Sequence, residues 1–73
     1  MADLVKVSRA RQLLGSGEGR RMREKARLSL REMADMIGID HSSLARWETG
    51  ESLPGREPAQ RWHDAMRSLG ALD

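Results

Sequence analysis

The chain has 73 residues, 33% of them charged and none of them cysteine, with a formal net charge of +2. That length holds one domain with a thin core, and the lack of cysteine excludes a disulfide framework or a thiolate metal site. No apolar run approaches the roughly 20 residues of a membrane span, so the expectation is a soluble, unprocessed chain in a reducing cytoplasm. The charge is polarised: nine Lys/Arg against three acids over residues 1–31 (+6), and four Arg against eight acids over 32–73 (−4). Such a chain either turns one face to phosphates or simply carries a solvated charged helix.

With no Tyr, no Phe and little valine, the sequence is strand-poor and reads as helices. Met1–Val7 is expected to be a loose arm. Ser8 is placed to cap a short helix through Leu14, with Leu13 and Leu14 sealing one end of the core. Gly15, Gly17 and Gly19 then suit a hinge or a helix start. They do not make a phosphate-cradling loop, because the lysine and hydroxyl that should follow are missing. Glu18–Ala26 holds good helix formers, with Met22 and Ala26 on one face.

Ser29-Leu30-Arg31-Glu32 is a capping box. Behind it Leu30, Met33, Ala34 and Ile37 form an apolar stripe at i, i+3, i+4 and i+7. Gly38 stands where a helix end favours positive φ, and Asp40 is expected to cap the next helix. That helix runs from His41 to Glu48 and stops at Thr49-Gly50. The loop Glu51–Arg56 carries the Pro54-Gly55 turn signal. Pro58 suits the first turn of a last helix, whose stripe is Trp62, Ala65, Met66 and Leu69 before Gly70. The expected fold is all-α, a compact bundle of four to five short helices. Residues 1–17 form an arm or short helix, 18–70 a helix-turn-helix domain and 71–73 a tail. Its predicted core is Met22, Leu30, Met33, Ala34, Ile37, Leu44, Trp47, Trp62, Met66 and Leu69. Met36 either fills the core with the other methionines or faces outward beside Asp35.

Two short helices joined by a tight glycine-containing turn need flanking helices to close their core. At about 100° per residue, Leu44, Trp47 and Glu48 share one side of the helix after Asp40. His41, Ser42, Ala45 and Arg46, with Thr49 beyond, share the other. The second side carries no acid. It offers an imidazole, a hydroxyl, a methyl and a guanidinium, groups that match base edges and the thymine methyl in a major groove.

Residues 20–54 resemble the lambda-repressor-like (Cro/repressor, XRE-type) helix-turn-helix family. The resemblance is carried by Arg23 through Ile39, with Leu28-Ser29, Met33-Ala34 and Gly38, by Asp40 through Gly50, with Trp47-Glu48-Thr49-Gly50, and by Pro54. It implies a bundle of about five helices with the helix after Asp40 in the groove. It also implies base contacts from His41, Ser42, Ala45 and Arg46, and phosphate contacts from Ser43, Thr49 and helix-end amides. An ion pair between Arg23 and Glu48 is implied as well. Many members have a phosphate-binding glutamine where this chain has Leu30, which leaves Arg31, Arg27 and Arg20 to substitute from neighbouring turns.

Competing readings are weaker. Trp47 and Trp62 lie on apolar stripes, which favours core packing over base stacking. His41 and His63 lack further ligands at metal spacing, and no catalytic constellation or cofactor motif is present. The expected function is therefore a non-enzymatic, sequence-specific transcriptional regulator, phage-like in type. Its expected partner is double-stranded DNA, bound by a monomer or a weak homodimer, with no membrane and no small-molecule substrate. Leu69, Leu72 and the 51–56 loop are the candidates for self-contact. Two alternatives share the fold. One is an antitoxin, or an adaptor for a recombinase or phage factor, that uses the basic first helix or residues 1–17, and the other is an excision-type architectural binder.

Overall fold

The computed structural model describes residues 2–72. Among them are five α-helices and no strand: α1 Ala2–Gly15, α2 Glu18–Lys25, α3 Leu30–Ile37, α4 His41–Glu48 and α5 Arg56–Ser68. Among the described residues no helix is long and apolar enough to cross a membrane. The extents are 31 × 25 × 22 Å.

The largest departure from expectation is at the beginning. Residues 2–7, expected as a loose arm, are the first turns of α1. The physical reason is a stripe at i, i+3 and i+7. Val7, Ala10 and Leu14 are buried against the rest of the core, chiefly along α5. Polar ties hold the same face. Lys6 Nζ lies 3.0 Å from Asp64 Oδ1, Gln60 Nε2 donates to Asp3 Oδ1 at 3.2 Å, and Arg11 Nε donates to the Pro54 carbonyl at 3.0 Å. Ser8 is accordingly no cap. It lies inside α1, and its hydroxyl accepts a long 3.5 Å bond from Gln12 Nε2.

The glycine-rich stretch acts as a helix start. Gly17, at φ +86°, is the N-cap of α2. Gly19 is buried, and a Cβ there would stand 2.9 Å from both Leu14 Cδ2 and Trp62 Cζ2. Its missing side chain lets α2 lie against α1 and α5 together.

The α3 capping box is complete. Ser29 Oγ accepts from the Glu32 amide at 3.0 Å and Glu32 Oε1 accepts from the Ser29 amide at 2.8 Å. The backbone amide of Ser29 first, and its hydroxyl second, hold the Glu32 carboxyl below its ordinary value. Met33, Ala34 and Ile37 are buried, as are Leu44, Trp47, Trp62 and Met66. Met22, Leu30 and Leu69, also expected inside, are only partly buried at the rim of the core. Met36 takes the outward option and is 48% exposed. Ala59, Ala65, Val7, Ala10 and Leu14 complete the buried hydrophobic cluster.

Four helices end alike. In each, a residue at the C-terminal end of the helix has positive φ, its amide bonds back three residues, and the next amide bonds back five. Arg27 and Leu28 do this for α2, Gly38 and Ile39 for α3, Gly50 and Glu51 for α4, and Gly70 and Ala71 for α5. Three of the four positions are glycine. The fourth is Arg27, at φ +63°.

Candidate nucleic-acid interface

The rotation of α4 follows from which of its residues the core accepts. Leu44 is fully buried, Trp47 is 7% exposed and Glu48 is 7% exposed. The other side is left to solvent. Ser42, Arg46 and Thr49 are exposed, and His41, Ser43 and Ala45 are half-buried. The side chains on it bond along the helix and not into the protein. Arg46 Nη2 donates to Ser43 Oγ at 3.4 Å, and Thr49 Oγ1 donates to the Arg46 carbonyl at 3.1 Å. The first contact is long, so the guanidinium is free to reach outward.

Burying Glu48 requires a cation, and α2 supplies it. Arg23 Nε and Nη2 grip Glu48 Oε2 and Oε1 at 2.7 and 3.0 Å, a bidentate pair. Its third nitrogen, Nη1, donates to the Leu28 carbonyl at 2.9 Å. The pair raises the arginine's already high pKa, first through the hydrogen bond to Glu48. One guanidinium thus bolts the end of α4 to α2 and to the α2–α3 turn.

The two helices of the pair start differently. Ser29 and Glu32 close the beginning of α3. Asp40 has the extended dihedrals of an N-cap, but its carboxylate makes no capping hydrogen bond, contrary to expectation. The Asp40 carbonyl takes the amides of Ser43 and Leu44, at 3.1 and 3.3 Å. The amides of His41 and Ser42 have no acceptor among the described residues. The tight turn from Gly38, whose amides already close α3, holds Asp40 in place without its side chain.

The flanking cations are exposed, and they differ in freedom. Arg20 Nε pairs with Glu24 Oε2 at 3.3 Å and Arg21 Nη2 with Glu18 Oε1 at 3.4 Å, both on their own helix and largely in solvent. Such pairs contribute about 0.3–0.5 kcal/mol and are readily exchanged. Arg27 and Arg31 form no ion pair among the described residues. His63 lies far along α5, buried in the core and remote in sequence from His41. Among the described residues no group of three or more His, Asp or Glu side chains is placed to hold a metal ion.

Sequence reasoning found the second half of α1 and missed its first turns. Its signal was the Val7, Ala10, Leu14 spacing, in which an alanine stands where a larger apolar residue would have been noticed. The sequence model of a family described as helix-turn-helix matches residues 20–68, well over half of the chain. No curated protein and no solved structure matches it. The matched stretch begins in α2 and ends with α5, so α1 lies outside it. A helix ended by Gly38, a tight turn, and a second helix packed by Leu44 and Trp47 are what that match describes in three dimensions, and the chain belongs to the XRE-type, lambda-repressor-like helix-turn-helix family of DNA-binding domains.

Proposed function

We propose that this protein is a sequence-specific transcriptional regulator that lays α4 in the major groove of double-stranded DNA. The observation that carries the reading is the rotation of α4. Burial of Leu44, Trp47 and Glu48 leaves an outward face without an acid, in a half of the chain that is otherwise acidic. His41, Ser42 and Arg46 present donors and acceptors to base edges, and Ala45 offers a methyl to thymine. Arg46 carries most of the discrimination, since a bidentate pair with guanine is worth about 1–3 kcal/mol. Ser43, Thr49, Arg20, Arg27 and Arg31 meet phosphates, as do the unpartnered first amides of α4. These contacts set register and not sequence.

The domain that does this work comprises residues 18–70, with α1 braced against α5. It acts in the cytoplasm as a monomer or as a weak homodimer. A dimer would set two copies of α4 about 34–36 Å apart, one turn of DNA. The test is selection from random duplexes followed by titration over a salt series. The expected result is an enriched motif whose affinity exceeds that of a shuffled duplex, and loss of that preference in Arg46→Ala. Equal affinity for every duplex would end the groove-reading proposal.

A second reading, an adaptor that works through the N-terminal segment, draws on the exposure of Leu4 and Val5, at 48% and 68%. Only these two residues test it cleanly. Leu14 is core and Leu13 is half-buried against it, so changing either disturbs folding as well. If Leu4→Ser with Val5→Ser abolishes activity while Arg46→Ala leaves it intact, the adaptor reading prevails.

A further inference from the structure

Four helix ends in this protein share one backbone motif, and in three of them the left-handed position is glycine. Glycine is the residue for which that conformation carries no steric penalty. The fourth position is Arg27, at φ +63°, where a β-carbon crowds the following carbonyl. No local interaction accounts for the arginine. Its side chain is exposed and makes no ion pair or side-chain hydrogen bond among the described residues. A cation near the end of α2 is favoured by the helix dipole, but Arg23 and Lys25 already stand in that last turn. Adding Arg27 brings residues 20–31 to six cations against the single acid Glu24, so its nearest like charges disfavour it as well.

The turn that carries Arg27 is held fixed against α4. The Leu28 amide bonds to the Arg23 carbonyl at 3.3 Å and the Leu28 carbonyl accepts from Arg23 Nη1 at 2.9 Å. The same guanidinium grips Glu48 at the end of α4. A charge at residue 27 therefore moves as one body with the proposed reading helix. An unpaired cation kept at a conformationally costly position, on a support shared with α4, has the character of a ligand contact and not of a stabilising device. We infer that Arg27 is a dedicated phosphate anchor that fixes the register of α4 on DNA, retained at the expense of backbone stability. This rests on the DNA-binding reading above and sharpens it. Arg27 becomes the chief phosphate contact next to α4, ahead of Arg20, which sits in α2 with a partner of its own.

The experiment compares wild type with Arg27→Gly, Arg27→Asn, Arg27→Lys and Arg46→Ala. Thermal melts are recorded for each, and each is titrated on a duplex enriched by wild type and on a shuffled duplex of equal composition, over a salt series. Arg27→Gly and Arg27→Asn are expected to melt at or above the wild-type temperature, since both residues accept positive φ. On both duplexes they should bind about three- to tenfold more weakly at low salt. The slope of log K against log salt should flatten by about 0.9, the loss of one phosphate contact. Arg27→Lys should keep most of the slope.

Unchanged affinity and slope in the glycine and asparagine variants would overturn the inference. Melting well below wild type would overturn it too, by showing that the arginine stabilises the turn. A loss confined to the enriched duplex would make Arg27 a base reader and count equally against it. The Arg46→Ala arm judges the groove reading separately. If wild type prefers no duplex and yet Arg27 governs the slope, that reading falls and the anchor stands; if wild type binds neither duplex, both fall.

Discussion

Two buried ionisable sites in this small protein handle their charge in opposite ways. At the α2–α4 junction, Arg23 and Glu48 are both charged and nearly every polar atom has a partner, with distances of 2.7, 3.0 and 2.9 Å. On α5, His63 is 7% exposed and its Nδ1 has no hydrogen-bond partner, the Asp64 carboxylate being 4.0 Å away. Burial is the largest influence on His63 and lowers its pKa. Asp64 opposes this, while Lys6, Arg9 and Arg67 add to it. The first site keeps its ions by pairing them, and the second keeps its imidazole by leaving it neutral. The difference follows position. The paired site joins elements distant in sequence at the foot of the proposed reading helix, where a directional, bidentate clamp sets geometry. His63 fills space between α1 and α5, where no direction is demanded.

The sharpest way to break this comparison is to leave one site half-made. Glu48→Ala strands the Arg23 guanidinium in the interior and should cost about 3–5 kcal/mol of stability, a large share of what so short a chain possesses. Removing both partners for apolar groups of similar shape, as in Arg23→Met with Glu48→Leu, should recover most of that loss in urea unfolding. If the single variant unfolds at the wild-type midpoint, the clamp is ornamental and the contrast with His63 disappears.

The next largest effect is a pH dependence. The folded pKa of His63 lies below its ordinary value of 6.5, so the unfolded chain takes up the proton first. Its contribution to stability is complete above about pH 6.5 and is lost as the pH falls through the lower folded value. Stability measured from pH 7 down to pH 5 should therefore decline in wild type and stay flatter in His63→Gln, which has no proton to gain. Glu32 titrates in the same sense, but from 4.5 downward, outside that interval. Parallel declines in the two proteins would show that His63 accepts its proton without unfolding anything.

Local devices were legible in the sequence because their partners sit a few residues apart. The Ser29–Glu32 box, the Gly38 stop and the Met33, Ala34, Ile37 stripe each fit within two turns of chain. What escaped depends on distant partners or on exceptions to a rule. Residues 2–7 continue α1 where it lies along α5, with contacts such as Lys6 to Asp64 that span 58 positions. Asp40 fits the composition of a cap, yet the glycine turn before it already fixes the backbone. The left-handed position at Arg27 was invisible because the signal for such a position is glycine. The solvent-facing side of α4 was readable for a different reason. Leu44 and Trp47 fix the rotation of α4, and the rest of that helix is whatever they leave outside.

Arg46→Ala carries the smallest effect on stability and sharpens the comparison from its other end. Arg46 has the same charge as Arg23 and lies on the same helix as Glu48, but it is exposed and its one side-chain contact, with Ser43, is 3.4 Å long. Surface changes of that kind usually stay within about 0.5 kcal/mol. Its melting temperature should thus fall far less than that of Glu48→Ala, while its preference for an enriched duplex falls far more. Each arginine would then be assigned by environment and not by type, the buried one to architecture and the exposed one to recognition. A paired melt and binding assay giving the reverse order would mean that α4 is rotated, with Arg46 inside and Glu48 free.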